Sequence, residues 1–132
     1  MGNGIGLKEA NGLDDYADKE TLACYRLTDK KEDWQAISVD ALNSYYCGLS
    51  FFDAEGLRFN LPAFLLAELR DEYKFSLIFT LTYLDAHSKQ KFLLLNKEQR
   101  QAVKNFLEWA MDDDDYKFDQ EKIIEALSYY WQ

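Results

Sequence analysis

The sequence predicts a mainly α, compact single-domain fold over residues 1–132, with room for a small two-stranded β element and α+β as the alternative class. A chain of 132 residues that is 48% hydrophobic fits one domain of ordinary size. Nine Phe, nine Tyr and three Trp exclude a disordered protein, which cannot bury such residues. Apolar residues recur at helical intervals over most of the chain, most clearly in its carboxyl third.

The amino-terminal segment combines glycines with a short helical pattern. Residues 1–6 include three glycines and are expected to form a flexible tail. The segment from Leu7 to Tyr16 spaces its apolar residues, continued by Ala17, three or four positions apart. Because Gly12 lies in the middle, this pattern predicts a weak helix or two turns. Asp18 or Thr21 then begins a second short helix.

A polar connection over residues 28–33 leads to Trp34, which is expected to anchor that loop to the core. Ser38 then has the character of an N-cap, and apolar residues from Val39 to Tyr46 share one helical face. Gly48 is the predicted stop of this helix.

The segment from Leu49 to Asn60 has two apolar runs around Asp53-Ala-Glu-Gly56, which predicts a hairpin or a tight corner in which Gly56 supplies a positive φ. Pro62 lacks an amide hydrogen and therefore suits the first turn of a helix over residues 63–70, with Asn60 as its cap.

The choice between a mainly α and an α+β fold depends on the segment from Phe75 to Tyr83. Every odd position is large and apolar, and three even positions are Ser or Thr, which is the period of a β-strand. Ile78 breaks the alternation and shares a helical face with Phe75 and Phe79, so a buried helix remains the alternative.

Two helices are expected in the carboxyl third. Asn96 and Gln99 have the spacing of a capping box ahead of a helix that ends at residues 112–115. Asp119 is the predicted cap of the last helix, in which Phe118 and Ile123 form a hydrophobic staple and Ile124 packs inward.

Several tracts carry a resemblance to a known family. They are Phe51-Phe-Asp-Ala-Glu-Gly-Leu-Arg-Phe-Asn-Leu-Pro-Ala-Phe-Leu65, the later Leu95-Asn-Lys-Glu-Gln-Arg-Gln-Ala-Val103, and the opening Leu7-Lys-Glu-Ala with Leu13-Asp-Asp-Tyr-Ala17. The stretch over residues 7–107 resembles a family of small uncharacterised bacterial proteins with an F-x-D-x-E-G-x-R-F-x-L-P-A-F core. The resemblance implies a bacterial cytosolic protein and includes a similarity to immunity proteins of toxin systems, and it supplies no catalytic residues.

Targeting signals are absent from the sequence pattern. The first residues lack a basic cap followed by an apolar run, and no apolar stretch approaches the ~20 residues of a membrane span, so we expect a cytoplasmic protein. Cys24 and Cys47 lie among tyrosines and are expected to be buried thiols.

The search for catalytic chemistry finds no complete set. His87 is the only imidazole and lies in a polar, loop-like segment, where a solvated side chain is expected. Two Cys and one His have no metal-ligand spacing, so neither a metal nor a cofactor is predicted. A small enzyme acting through Asp53, Glu55, Arg58 and His87 remains the alternative.

Charge is distributed unevenly along the chain, whose net charge is −9. Residues 108–125 hold eight acids and two bases, whereas residues 89–104 hold five bases and one acid. Acids interleaved with aromatic residues can steer and hold a basic protein, although the same pattern is produced by core aromatics beside solubilising acids. The predicted partner-binding residues are Glu108, Trp109, Asp112, Asp113, Asp114, Asp115, Tyr116 and Asp119.

These observations favour a non-catalytic protein-binding protein. The specific expectation is an immunity-type inhibitor that neutralises a cognate basic toxin or effector domain through its acidic surface. The net negative charge disfavours nucleic acid as a partner, and no membrane partner is expected. A homodimeric structural or scaffold protein is a second alternative, beside the enzyme.

Overall fold

The computed structural model describes residues 3–45 and 49–132. The chain clusters into two compact units, Met1–Leu77 and Ile78–Gln132. The single domain expected over residues 1–132 stays a prediction.

The mainly α fold class is confirmed. The described chain contains the helices α1 Leu7–Asp14, α2 Lys19–Thr28, α3 Val39–Ser44, α4 Ala54–Leu69, α5 Ile78–Thr82, α6 Ala86–Lys91, α7 Lys97–Met111 and α8 Gln120–Tyr129, with 3₁₀ helices at Trp34–Ala36 and Asp114–Asp119. Residues 3–45 and 49–132 contain no strand, so the two-stranded element predicted from residues 49–59 or 75–83 is wrong.

Helix α1 begins after Gly6, which has no side chain with which to cap it. Asp29 supplies the missing acceptor, since its carboxylate accepts the N–H of Lys8 at 2.7 Å and that of Glu9 at 3.1 Å. Arg26 pairs with Glu9 at 2.8 Å and donates to the backbone oxygen of Asn3. The bond from Arg26 connects the described part of the amino-terminal segment, residues 3–6, to α2. The flexible tail expected over residues 1–6 stays a prediction.

Helices α2 and α3 begin where the sequence predicts. Asp18 accepts the N–H of Thr21 at 2.8 Å, and Ser38 accepts that of Ala41 at 3.1 Å. Helix α3 ends at Ser44; the stop predicted at Gly48 lies outside the described residues, as do Tyr46 and Cys47. The 3₁₀ helix at Trp34–Ala36 packs on α4, where partly buried Trp34 and Leu66 line a cavity of about 310 Å³.

Helix α4 replaces the predicted hairpin or corner. Asp53 is its N-cap and accepts the N–H of Gly56 at 2.8 Å, so Gly56 lies in the first helical turn. Asn60 is not a cap but a buried residue inside α4, and Pro62 also lies inside this helix and not in its first turn. A proline there removes one i→i−4 hydrogen bond, a cost that the buried apolar contacts of the helix offset.

The first unit builds its core on α4. Phe64 is fully buried, and its ring lies edge-on to Phe52 at 6.3 Å and to Tyr73 at 5.3 Å. Below them Glu68, 7% exposed, accepts the backbone N–H of Leu77 at 2.7 Å. The chain that follows α4 is thereby tied back to that helix.

The strand predicted from Phe75 to Tyr83 is wrong, and the helical alternative is correct for its second half. Helix α5 buries Ile78 and Leu81, and its exposed Phe79 stacks on Tyr83 at 5.0 Å. Large apolar residues occupy most positions of this segment, so the alternation among them could not distinguish a strand from a short helix.

The second unit packs α8 against α5 and α7. Trp131 follows α8, is 1% exposed, and donates from Nε1 to the backbone oxygen of Leu81 at 2.8 Å. The ring of Phe92 lies 4.9 Å from that of Trp131. The end of the chain is therefore part of the core of this unit.

The capping box at Asn96 and Gln99 is present at the start of α7. The predicted hydrophobic staple is wrong, because Phe118 is 89% exposed while Ile123 is buried. The inward position predicted for Ile124 is also wrong, since this side chain is 49% exposed.

Two further findings concern membrane-spanning helices and the thiol of Cys24. In the described ranges no helix has the length and apolar character needed to cross a bilayer. Cys24 is exposed on α2, so its predicted burial is wrong.

Candidate protein-binding surface

The residues predicted to bind a partner lie at the carboxyl end of α7, directly after it, and in the 3₁₀ helix at Asp114–Asp119. All belong to the second unit. Gln120, the first residue of α8, donates from Nε2 to the backbone oxygen of Met111 at 3.1 Å. This bond closes the turn between the two helices and fixes the acidic segment between them.

The carboxylates of this surface face solvent. Glu108, Asp112, Asp114 and Asp115 are exposed, and Asp113 and Asp119 are partly buried. Asp113 has a structural role, since its Oδ1 accepts the N–H of Asp115 at 2.9 Å and caps the 3₁₀ helix. Within residues 3–45 and 49–132 none of these six carboxylates forms an ion pair, so their charge is not neutralised by the protein itself.

Two aromatic residues of the segment, Trp109 and Tyr116, contact each other, and the third, Phe118, is exposed to solvent. The ring of Trp109, which is 40% exposed, lies edge-on to Tyr116 at 5.7 Å and also approaches Phe106 at 5.8 Å. Phe118 projects into solvent beneath Lys117, whose Nζ is 5.1 Å from the ring. Trp109 and Phe118 are therefore not core residues, contrary to the alternative in which the aromatics are buried and the acids only solubilise.

We refer to Glu108, Trp109, Asp112–Asp115, Tyr116 and Asp119 as the acidic–aromatic surface. Four of its carboxylates, Asp112–Asp115, are consecutive between α7 and the start of the 3₁₀ helix, and Glu108 precedes the exposed indole of Trp109 in α7. Such an arrangement can attract a basic protein at long range and offer it an apolar contact at short range.

A second feature of this unit was missed by the sequence analysis. A cleft of about 530 Å³ lies between α5, α6 and α8. Its lining includes the exposed rings of Phe79, Tyr83 and Tyr129 and the side chains of Asp85, Lys89 and Lys122. The i, i+4 spacing of Phe79 and Tyr83 would have indicated this paired face once the segment was recognised as a helix.

The cleft also contains a perturbed carboxyl group. Hydrogen bonds from the backbone N–H and then the hydroxyl of Ser88 hold the pKa of Asp85 below its ordinary value. The N–H bond is 2.8 Å long and makes Asp85 the N-cap of α6. Its lowered pKa therefore has a structural cause.

The residues named for the enzymatic alternative have separate surroundings. Oδ1 of Asp53 accepts the N–H groups of Ile5 and Gly56, so it caps a helix. Arg58 is exposed on α4 in the first unit. His87 is exposed on α6 of the second unit, in a helix where a loop was expected.

Comparisons with known proteins identify the family and leave its activity open. No curated protein and no solved structure matches the chain. A profile described as a family of unknown function, DUF6714, matches residues 1–132, which confirms the resemblance to an uncharacterised family, though not its motif. The chain belongs to this family of unknown function, DUF6714.

Proposed function

We propose that this protein binds a basic protein partner without catalysing a reaction, as a cytoplasmic, immunity-type inhibitor of a cognate bacterial toxin or effector domain. The observation that carries the proposal is the acidic–aromatic surface, which combines six carboxylates that form no ion pair within the described residues with a Trp109 ring that is 40% exposed.

Charge supports the first stage of binding. Residues 108–125 carry a net charge of −6, from eight acids and two bases. A concentrated field of one sign raises the association rate with an oppositely charged protein, and the effect decreases as salt screens it. The partner is therefore expected to present a lysine- and arginine-rich face.

The rings support the second stage. Exposed carboxylates alone contribute little to affinity, because each surface ion pair is worth roughly 0–1 kcal/mol. A tryptophan that becomes buried in an interface can contribute more than about 2 kcal/mol. Trp109, braced by Tyr116 and Phe106, offers such an anchor in a fixed orientation.

The chemistry suggests how inhibition would work. A toxin domain that acts on nucleic acid uses cationic side chains to hold phosphates. A row of carboxylates in one turn can occupy those side chains, so the substrate is excluded by competition for the same cations.

The decisive experiment first asks whether the adjacent open reading frame encodes a large secreted protein with a basic carboxyl-terminal domain. If it does, that domain is co-expressed with this protein and binding is measured by calorimetry. The test variant reverses Asp112, Asp114 and Asp115 to Lys, three exposed acids, and spares Asp113 because it caps the 3₁₀ helix. The matched control reverses Glu20, Glu32 and Glu72 to Lys, three exposed acids of the first unit. Both variants change the net charge equally.

We expect the test variant to weaken binding at least about tenfold and the control to weaken it much less, with both effects shrinking at high salt. Trp109→Ala should also weaken binding about tenfold or more, and this loss should persist at high salt. Failure of the two proteins to co-purify at low salt, or equal losses in the two triple variants, would contradict the proposal.

A homodimeric structural protein is the second candidate, because Phe79, Tyr83 and Tyr129 are all more than half exposed on one cleft. Burial of aromatic rings is a common driving force of self-association. Sedimentation over a wide range of concentration separates the candidates: a dimer that is lost in Tyr129→Ser favours self-association, and a monomer at every concentration excludes it.

A further inference from the structure

The connection between α6 and α7 is both basic and apolar at its surface. Residues 89–97 run from the end of α6 into the first residue of α7 and contain three lysines and no acid. The backbone N–H of Leu95 donates to the backbone oxygen of Phe92 at 3.1 Å, and both side chains are buried. Between them, Leu93 is 72% exposed and Leu94 is 41% exposed. The buried pair thus fixes this connection to the core and leaves the two leucines facing solvent.

We refer to Lys89, Leu93, Leu94 and Lys97 as the basic turn, and all four side chains are exposed. The ammonium group of Lys89 lies 5.8 Å from the centroid of the Tyr130 ring, so this lysine is held near the core of the second unit. Exposed cations beside exposed leucines suit a partner that offers both negative charge and apolar groups.

The charges at the two ends of α7 mostly oppose the dipole of this helix. A helix carries partial positive charge at its amino end and partial negative charge at its carboxyl end. Lys97 is the first residue of α7, whereas Glu108 lies in its last turn and Asp112–Asp115 follow directly. Among these charged residues and their neighbour Glu98, only Glu98 has the favourable sign. The stability of α7 therefore does not explain the pattern, which favours an interaction with another molecule as its cause.

The two ends of α7 are too far apart to neutralise each other. The helix has 15 residues and is therefore about 22 Å long. Salt at 0.1 M screens charges over about 10 Å, so the basic turn and the acidic–aromatic surface act as separate sites. They are complementary, because one combines lysines with exposed leucines and the other combines carboxylates with the exposed ring of Trp109.

We propose that the basic turn binds the acidic–aromatic surface of a second copy of this protein, head to tail. Lys89 and Lys97 meet carboxylates of the other copy, and the two leucines pack against the ring of its Trp109. Such a contact leaves one free site at each end of the pair, so further copies can add. It covers the surface that the proposed function assigns to a basic domain, and that domain competes with the second copy.

Two complementary variants test the contact by sedimentation velocity of the full chain at about 0.1 M salt, where the repulsion between two net negative copies is screened at long range. The acid-neutral variant carries Asp112→Asn, Asp114→Asn and Asp115→Asn. The base-neutral variant carries Lys89→Gln and Lys97→Gln. The unmodified protein should associate as its concentration rises, and each variant alone should associate about tenfold or more weakly.

Mixing the two variants in equal amounts should restore association. The acid-neutral variant keeps its basic turn, and the base-neutral variant keeps its acidic–aromatic surface. The complex should stop at two chains, because each variant retains only one of the two sites. Both variants remain net negative, so attraction between net charges cannot produce this result.

Variants of apolar residues test the leucines. Replacing both Leu93 and Leu94 by Ser should weaken association about fivefold or more, because their burial against the second copy is lost. Leu27→Ser is the matched control, since Leu27 is 87% exposed on α2 of the first unit, and it should have no effect. Tyr129→Ser should also have no effect, which separates this contact from self-association through the aromatic cleft.

The proposal is overturned by a protein that stays monomeric at every concentration, by variants that do not pair on mixing, or by equal losses in Leu27→Ser and the double leucine variant. Loss of association in Tyr129→Ser would assign it to the cleft instead. A monomer that binds phosphatidylserine vesicles through Lys89 and Lys97 would assign the basic turn to an anionic bilayer.

The proposed function can fail separately from this contact. The base-neutral variant keeps the acidic–aromatic surface, so it should bind a basic domain at least as tightly as the unmodified protein. If the variants pair on mixing but the basic domain does not bind, only the proposed function is wrong. If the domain binds and the variants do not pair, only the head-to-tail contact is wrong.

Discussion

Gly6 and Asp29 approach so closely that position 6 has no room for a side chain. A Cβ atom on Gly6 would lie 2.5 Å from Cβ and Cγ of Asp29. The carboxylate of Asp29 reaches past this position to the N–H groups of Lys8 and Glu9. A residue from the end of α2 thus performs the capping that the residue before α1 cannot perform itself.

Gly6→Ala should lower the free energy of unfolding by roughly 1–3 kcal/mol, because the new methyl group displaces the capping carboxylate. Chemical denaturation followed by circular dichroism measures the change. Gly12→Ala is the comparison variant. Its Cβ would meet side-chain atoms, Leu22 Cδ2 at 2.9 Å and the Tyr25 ring at 3.0 Å, whereas Asp29 at position 6 is held by its two hydrogen bonds, and the change gains helix propensity. If Gly6→Ala proves as stable as Gly12→Ala, the close contact with Asp29 is not present in solution.

A second close approach joins the amino-terminal segment to α4. Oδ1 of Asp53 accepts from both Ile5 and Gly56, and a Cβ on Gly56 would lie 2.0 Å from the backbone oxygen of Ile5. In an open helix Gly→Ala stabilises by up to about 1 kcal/mol. We expect Gly56→Ala to destabilise this protein instead, because the backbone oxygen of Ile5 cannot move aside as a side chain can.

Amide hydrogen exchange checks this prediction. In Gly56→Ala the N–H of Ile5 should lose its protection, and the free energy of unfolding should fall. Protection at Ile5 equal to that of the unmodified protein, together with increased stability, would show that residues 3–6 do not rest on α4.

The same contacts explain which elements could be predicted from sequence. Three N-cap side chains each accept a backbone N–H from the residue three positions later. They are Asn96, Asp18 and Ser38, and this short spacing makes the starts of α7, α2 and α3 recognisable in the sequence. Asp53-Ala-Glu-Gly56 is equally typical of a turn and of a helix start. Only the long-range contact between Ile5 and Gly56 explains why a glycine occupies the first turn of α4.

Exposure and burial at the candidate sites could likewise not be predicted from the local sequence alone. The acids at 112–115 are visible in the sequence, but the exposure of Phe118 depends on where α8 begins. The sequence, in which Asn60 occupies an expected cap position, gives no sign that its Oδ1 is buried without a partner among the described residues. Such a group is recognisable only when α4 is seen to continue through it.

Asp18 provides a pH-dependent test of α2. Hydrogen bonds from the hydroxyl and then the backbone N–H of Thr21 lower the pKa of Asp18 below 3.8. A carboxyl group with a lowered native pKa contributes stability that is complete above its unfolded pKa and is lost as the pH falls through the native value. Thr21→Val removes the hydroxyl and should raise the native pKa towards 3.8.

NMR titration of the carboxyl carbons measures this shift directly. The pKa of Asp85, whose lowering comes from Ser88 in the second unit, serves as the internal reference and should not change. Below pH 3.8 the free energy of unfolding should also decrease less with falling pH in Thr21→Val than in the unmodified protein. If the pKa of Asp18 is the same in Thr21→Val as in the unmodified protein, the hydroxyl of Thr21 does not lower it and the backbone N–H alone does.

Arg100 holds the end of the chain against α7. Its guanidinium lies 4.6 Å from the Tyr130 ring centroid and 5.0 Å from that of Trp131, and Nη2 donates to the backbone oxygen of Tyr130 at 3.0 Å. Lysine keeps the charge but cannot stack and donate at once. Arg100→Lys should therefore cost about 1–2 kcal/mol of unfolding free energy.

Urea denaturation of Arg100→Lys checks this cost against Arg70→Lys, in which an exposed arginine of the first unit is changed in the same way. The control should stay within about 0.5 kcal/mol of the unmodified protein. Equal stabilities for the two variants would show that the contacts of Arg100 with Tyr130 and Trp131 do not stabilise the fold.

Phe118 and Ile123 together test where α8 places its apolar side chains. Phe118 is 89% exposed and Ile123 is 0% exposed, although their spacing is that of a hydrophobic staple. Phe118→Ser should change the free energy of unfolding by less than about 0.5 kcal/mol, whereas Ile123→Ala should cost about 2–5 kcal/mol through the cavity that it leaves. A large loss in Phe118→Ser would mean that the ring packs on Ile123 in solution, and the partner-binding surface would then lose its most exposed aromatic neighbour.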